Sequence, residues 1–484
     1  MEKSVNPVRP FGLRDKIGYL FGDFGNDFTF ILSSSFLLKF YTDVMGVSPA
    51  IVGIVMMVAR FLDAFTDVTM GRICDRGRVK SSGKFRPWLL RMCAPVAISS
   101  FLMYQSALAS APMGVKIAWL FITYILWGSV FYTAINIPYG SMASAISADP
   151  SDRQSLSTYR TMGATFAGAV IGALVPLLVY KNETINGQTV AVLQGDVFTT
   201  VAGVLSVLSI LAYLLCYYLT TERVRPQTTV QKRNSVGKLL KNALKNRALL
   251  SIIVASIVML LAQLTMQQMA NYVFPNHYGN ASAMTVSTLA MVISMMIAAS
   301  ISKPLVKRFG KAEISVVSNL VASGVSLFLF FARPKNVWVY VAFQSVGWFG
   351  LGIFSVVSWA LITDVIDYSE LKNGVREDGS IYALYSFARK LGQAGSSGLV
   401  GFLIALVGYS DATAFDPAVT NSLFNISTLV PAIGFTALAL VLWFWYPLHK
   451  KQVDKNVKRL QELHALAQFG QSEGANEQLN KTEK

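Results

Sequence analysis

TTVAGVLSVLSILAYLLCYYL, residues 199–219, is followed after one residue by TERVRPQTTVQKRNSVGKLLKNALKNR, residues 221–247. The first stretch is long enough to cross the hydrocarbon core of a bilayer as a helix, which takes about 20 apolar residues. The second carries Arg223, Arg225, Lys232, Arg233, Lys238, Lys241, Lys245 and Arg247, and that much charge does not enter hydrocarbon. Apolar stretches occur six times up to this junction, near 17–41, 49–71, 87–108, 116–139, 157–180 and 199–219. They occur six times after it, near 248–274, 283–306, 313–332, 337–363, 381–409 and 424–446. The runs lack the period-2 alternation of a transmembrane barrel, so the backbone satisfies itself as helices. The whole chain, 484 residues with 53% hydrophobic and 14% charged residues and a mean hydropathy of +0.47, agrees. We therefore expect an all-α polytopic membrane protein of 12 transmembrane helices in two six-helix halves. The divisions are an N-terminal segment 1–16, a first half 17–220, a basic central loop 221–247, a second half 248–446 and a tail 447–484, amphipathic and then disordered.

Orientation follows from the basic residues, which stay on the cytoplasmic side. The junction after the second run holds Arg72, Arg76, Arg78, Lys80, Lys84 and Arg86, and that after the eighth holds Lys303, Lys307, Arg308 and Lys311. The loops around Asp43, His277 and Asp411 carry no Lys or Arg. Both termini are thus expected in the cytoplasm. The net charge of +16 sits at alternate membrane junctions rather than on one surface, which argues against a nucleic-acid partner. The first apolar run contains Asp23, Asn26 and Asp27, unlike a signal peptide. Cys74, Cys93 and Cys216 have neither disulfide nor metal spacing. No phosphate-loop motif is present, and the three histidines, His277, His449 and His464, lie outside the apolar cores, so neither an ATP-driven pump nor an intramembrane hydrolase is expected. The chain reads as a non-enzyme with no cofactor.

Asp63 and Asp67 interrupt the second run in Ala59-Arg60-Phe61-Leu62-Asp63-Ala64-Phe65-Thr66-Asp67. Placing an aspartate at the centre of a spanning helix costs roughly 2.5–3.5 kcal/mol, so such residues mark ion or substrate pathways. Their i, i+4 spacing puts both on one face, where they can share a small cation or a proton. The bland alternative is a charge-paired bundle contact with Arg60 or Lys390. Two halves joined by a charged loop are also the mark of major-facilitator architecture, which places a substrate site at mid-membrane between the halves.

Further motifs are Phe40-Tyr41-Thr42-Asp43, Gly83-Lys84-Phe85-Arg86-Pro87-Trp88, Asn136-Ile137-Pro138-Tyr139-Gly140 and Asp364-Val365-Ile366-Asp367-Tyr368-Ser369-Glu370. With Ala59-Arg60, Asp63 and Asp67, they make the chain resemble the glycoside-pentoside-hexuronide:cation symporter family, the melibiose-permease relatives, over residues 11–450. The resemblance implies that Asp63 and Asp67 bind the coupling cation, H⁺ or Na⁺, with Thr66 and Thr133 as neighbouring oxygen donors. It implies a sugar site at Asp27, Asn136 and Arg160, and a link between the two sites through Lys390, with Ser386 one turn earlier. Melibiose permease carries asparagine where Thr66 stands, a second sugar-binding aspartate where Asn136 stands and tryptophan where Gly140 stands. The first departure favours H⁺ coupling, and the loss of a negative charge at Asn136 favours an anionic hexuronide.

Trp127, Tyr132, Trp348 and Trp359 can each offer a platform to a sugar ring or simply pack the core. Asp27 can instead be a buried partner for Arg160, and Lys390 can snorkel to the interface. A gate is expected from Asp75, Arg76, Asp364 and Asp367, whose charges can form salt bridges that break as access alternates; the bland reading is solvated loop charge. The expected function is import of a glycoside, oligosaccharide or hexuronide with a monovalent cation, by a monomer in a bacterial inner membrane. The alternatives are a sugar exchanger and a carrier of the same fold for a lipid or organic anion.

Overall fold

A computed structural model of the chain describes residues 9–77, 82–185, 188–224, 246–373 and 378–463. The expected disorder from about residue 470 and most of the basic central loop lie outside the described residues. The first half contains α1 Leu13–Asp43, α2 Pro49–Arg76, α3 Arg86–Leu102, α4 Met113–Ile146, α5 Pro150–Val179 and α6 Gly195–Leu219. The second contains α7 Arg247–His277, α8 Ser282–Phe309, α9 Lys311–Ala332, α10 Val337–Asn373, α11 Asp378–Leu406 and α12 Pro417–Trp445. A further helix, 450–463, follows α12. Eight of these helices are long and apolar enough to cross a membrane. α1, α2, α3 and α11 are not among those eight: α3 is short, and the others carry charged or small polar residues. An antiparallel hairpin of β1 Tyr180–Ile185 and β2 Gln188–Leu193, absent from the sequence expectation, joins α5 to α6.

The bundle has two unlike ends. One, the basic end, bears Arg72, Arg86, Lys307 and Arg308 and lies where α1 begins and α12 ends; the other bears Asp43, His277, Asp411 and the hairpin. At the basic end the Gly83–Trp88 motif has a local reason. The Glu222 carboxylate accepts the backbone N–H groups of Lys84 at 2.7 Å, Phe85 at 2.8 Å and Arg86 at 2.7 Å, an anion at the N-terminus of α3. Gly83 has φ +112°, and a Cβ there would stand 2.6 Å from the Glu222 carboxyl carbon, so both conformation and space select glycine.

Two apolar cores divide the bundle. One is built only from second-half residues, among them Leu249, Ile252, Phe354, Leu361 and Phe435. The other joins the first half to the second at the end away from the termini, where Tyr272, Phe274, Met284, Tyr340, Ile404 and Phe424 pack with Phe36, Phe40 and Tyr104. Across this seam α1 meets α7, α2 meets α11 and α5 meets α8. Glycines permit the close approach. A Cβ on Gly401 of α11 would lie 2.6 Å from the Pro49 carbonyl oxygen and 2.8 Å from Gly53 Cα of α2. Thr285 and Thr288 of α8 donate to the carbonyls of Ala173 and Gly172 in α5, at 2.7 and 3.1 Å. Gly401→Val is therefore expected to wedge α2 from α11 at a cost of about 1–3 kcal/mol. The check is the midpoint of thermal unfolding in detergent, which should fall; an unchanged midpoint would mean the helices are not in contact there.

Lys39 of α1 fastens the same seam. Its buried ammonium reaches Asp43 at 2.6 Å, Asn276 Oδ1 at 2.7 Å and the Tyr409 hydroxyl at 2.7 Å, and lies 4.5 Å from the Tyr272 ring centre. The Tyr409 hydroxyl in turn donates to Asp43 at 2.8 Å.

Candidate substrate and cation site

Between the halves, α1, α2, α4 and α11 enclose a cavity of about 190 Å³ lined by Phe30, Arg60, Asp63, Asp67, Tyr132, Thr133, Asn136, Lys390 and Gln393. Asp63 and Asp67 lie on the same face of α2, one turn apart, as their spacing predicts. Opposite them α4 widens into π turns over Leu126–Tyr132, a local departure common at functional sites. There Ser129 donates to Asp63 Oδ1 at 2.5 Å and Thr133 donates to Asp67 Oδ1 at 2.9 Å. Two hydroxyls one turn apart thus face two carboxylates one turn apart. Ser129 is absent from the sequence-derived site, although its i, i+4 relation to Thr133 is the signal that could have found it.

The Thr66 hydroxyl donates to the Asp63 backbone carbonyl at 3.2 Å and lies 3.5 Å from that of Thr133. Asp63 is 3.7 Å from the Arg60 guanidinium, which stacks over Phe30 at 4.6 Å. Asp67 forms an ion pair with Lys390 of the second half. The cluster therefore offers carboxylate and hydroxyl oxygens, the donor set for a hard monovalent cation or a proton. An ammonium from the opposite half already competes for one of them.

The sugar-site residues divide. Asn136 lines the cavity and accepts from Asn26 Nδ2 at 3.3 Å, while the Tyr213 hydroxyl donates to Asn26 Oδ1 at 2.7 Å. Tyr132 stacks on Phe30 with ring centres 5.7 Å apart. Arg160 pairs with Asp23 at 3.1 Å rather than with Asp27, and lies over the Tyr139 ring at 5.3 Å. Asp27 is half-buried, with no hydrogen bond or ion pair among the described residues, and neither it nor Arg160 lines the cavity. A Cβ on Gly140 would meet only Arg160 Nη1, at 3.7 Å, so the space beside the guanidinium is open.

Ser386 and Trp359 do not line this cavity. Trp359 stands edge-on to Tyr385 at 5.3 Å, and Arg389 lies 5.5 Å from its ring centre. Trp127 is fully buried between Tyr124 and Tyr132. Trp348 lines a second cavity, between α1, α5, α7, α8 and α10. Of the gating residues, Asp364 accepts from Lys311 at 2.5 Å, an ion pair within the second half between α9 and α10. Asp367 has an interaction of its own, and the side chains of Asp75 and Arg76 lie outside the described residues.

Two six-helix halves meeting over a polar central site define a major-facilitator transporter. The backbone agrees: a solved bacterial homologue of the human lysosomal transporter Spinster, in its inward-facing and unoccupied conformation, superposes with a TM-score of 0.66 at 11% identity, covering 92% of this chain and 97% of that one. Residues 18–450 match the family described as MFS/sugar transport protein, and the chain belongs to that family. It is 30% identical over 445 residues to a glucuronide carrier protein homolog of Escherichia coli strain K12, covering 92% of this chain and 94% of that protein. It is also 30% identical over 436 residues to a putative glycoside/cation symporter of the same organism, covering 89% and 91%. The protein is a membrane transporter and not an enzyme.

Proposed function

We propose that the chain imports a glycoside, oligosaccharide or hexuronide together with a monovalent cation, H⁺ or Na⁺, by alternating access, as a monomer in the cytoplasmic membrane of a bacterium. The observation that carries this reading is the pair of carboxylates on α2, Asp63 and Asp67, one of them bridged by Lys390 from the other half. The relatives named for glucuronide and for glycoside with cation support the substrate class and the coupling. The basic end, by the positive-inside rule, faces the cytoplasm with both termini. The shared core and the Lys39 cluster then close the outer face.

A cation entering between Asp67, Thr133, Thr66 and Asp63 competes with the Lys390 ammonium. Once displaced, Lys390 is free to meet a substrate oxygen, so occupation of one site raises affinity at the other, and the linkage is reciprocal. Asp27, Asn136 and Arg160 supply the acceptor, the amide and the guanidinium for the sugar, with Tyr132 as an aromatic wall. Arg160, with open space at Gly140, suits the carboxylate of a hexuronide. Asp364 and Asp367, with Asp75 and Arg76, serve the cytoplasmic gate, and the Lys311–Asp364 pair is the contact to be exchanged as the halves close.

Uptake of labelled glycosides and glucuronides into proteoliposomes under imposed H⁺ or Na⁺ gradients tests the proposal. Wild type should accumulate substrate under one gradient, and Asp67→Asn should lose that accumulation. Uptake indifferent to both gradients would replace symport by exchange, and no uptake of any sugar would sink the substrate class.

A further inference from the structure

Phe30 lines two cavities. On one side lies the charged one already described; on the other lies a second of about 190 Å³, between α1 and α5 of the first half and α7, α8 and α10 of the second. None of the residues lining this second cavity is ionisable. Its polar groups are neutral, and several have no protein partner. The Gln267 side-chain amide, the Ser35 hydroxyl and the Trp348 indole N–H make no hydrogen bond among the described residues, and Asn271 Oδ1 is likewise unpaired. Trp348 is 3% exposed, and its ring helps to wall the space. An engineered cavity of about 150 Å³ takes a benzene ring, so this one accommodates a six-membered ring. Unpaired amide and hydroxyl groups beside an aromatic ring suit neutral hydroxyl-rich rings, whereas an ion would find no counter-charge.

We propose that this cavity is a second, neutral subsite that takes the sugar ring or aglycone linked to the ring held at the charged site. It rests on the transport reading above and adds to it the expectation that a linked glycoside binds more tightly than its free sugar. Phe30, stacked on Tyr132 at 5.7 Å, is the wall over which the linkage passes. Because both halves furnish the subsite, a ligand filling it reports on their relative position.

The test is equilibrium binding to the purified full-length protein of two matched pairs of probes: p-nitrophenyl β-glucuronide against glucuronate, and xylobiose against xylose. In Gln267→Ala the linked compound of at least one pair should bind about five- to ten-fold more weakly while its free sugar is held within about two-fold, the scale of one lost neutral hydrogen bond. Trp348→Phe should act in the same direction, and retained binding of the free sugar shows that each variant is folded. Equal weakening of both members of a pair, or of neither, overturns the subsite while leaving transport intact. A wild type that binds none of the four probes overturns the transport reading and the subsite with it.

Discussion

Lys39→Met is expected to open the end of the bundle opposite the termini, and adding Asp43→Asn is expected to close it again. In the described state the Lys39 ammonium is 1% exposed and Asp43 13% exposed, with Asn276 and Tyr409 of the other half completing its shell. Removing one partner of a buried ion pair costs about 3–5 kcal/mol, because the remaining charge is left uncompensated. That penalty falls on the closed state, since separation of the halves lets water reach Asp43. Even the lower figure shifts the balance between states by more than a hundred-fold. Neutralising Asp43 as well removes the stranded charge, and neutral isosteres of a buried pair are often tolerated. The measurement is labelling of an engineered Ser34→Cys, in the wall of the neutral cavity, by an impermeant maleimide applied to the face opposite the termini. The native cysteines Cys74, Cys93 and Cys216 are buried, which keeps the background low. Fast labelling in the single variant and slow labelling in the double is the expected pattern; slow labelling in both would remove Lys39 from the gate.

The second large effect is at Lys390. On the proposed cation role of Asp67, the Lys390 ammonium competes with the bound cation, so Lys390→Gln should tighten cation binding by about five-fold, the equivalent of about 1 kcal/mol for a partly exposed pair. Tighter binding slows release, and gradient-driven uptake should fall in the same variant. Asp67→Asn fails differently, because a positive charge is left with no cation site to exchange against. The double variant Lys390→Gln with Asp67→Asn leaves neither charge, and it should regain downhill exchange of substrate without accumulation. Binding of Na⁺ and of H⁺ is measured in turn, alongside exchange of labelled for unlabelled substrate. Equal cation affinity in wild type and Lys390→Gln would show that the lysine does not compete at Asp67.

The aspartates of α2 were legible because a charge in an apolar run stands out against its neighbours, and i, i+4 spacing fixes the face whatever the rest of the fold does. Thr133 was legible only through the family resemblance. Ser129 had only its i, i+4 relation to Thr133 as a signal, because its place beside Asp63 depends on the π turns of α4, and a widened turn leaves no mark in hydropathy. The partner of Arg160 was equally hidden. Asp23 and Asp27 are a turn apart on one helix, both within a long side chain's reach by pattern alone, and the packing of α5 on α1 decides for Asp23. The β1–β2 hairpin had a local signal, since Asn-Gly at 186–187 is a strong two-residue turn sequence, but a search for 20-residue apolar runs passes over it. The neutral cavity has no sequence signature at all, because its walls come from five helices spread over both halves.

The helices that fall short of an apolar span include α2 and α11, which carry the carboxylates and the lysine of the charged cavity. During synthesis a nascent segment is offered to the bilayer largely by its own hydrophobicity, and each charged residue near its centre weighs against entry. α2, with Arg60, Asp63 and Asp67, gains from having the hydroxyls of α4 alongside before lipid closes around it, and α11 from having α2 in place to neutralise Lys390. The charges of the central cavity are thus expected to make insertion cooperative, so that a change at Asp63, Asp67 or Lys390 should also alter how much protein is inserted.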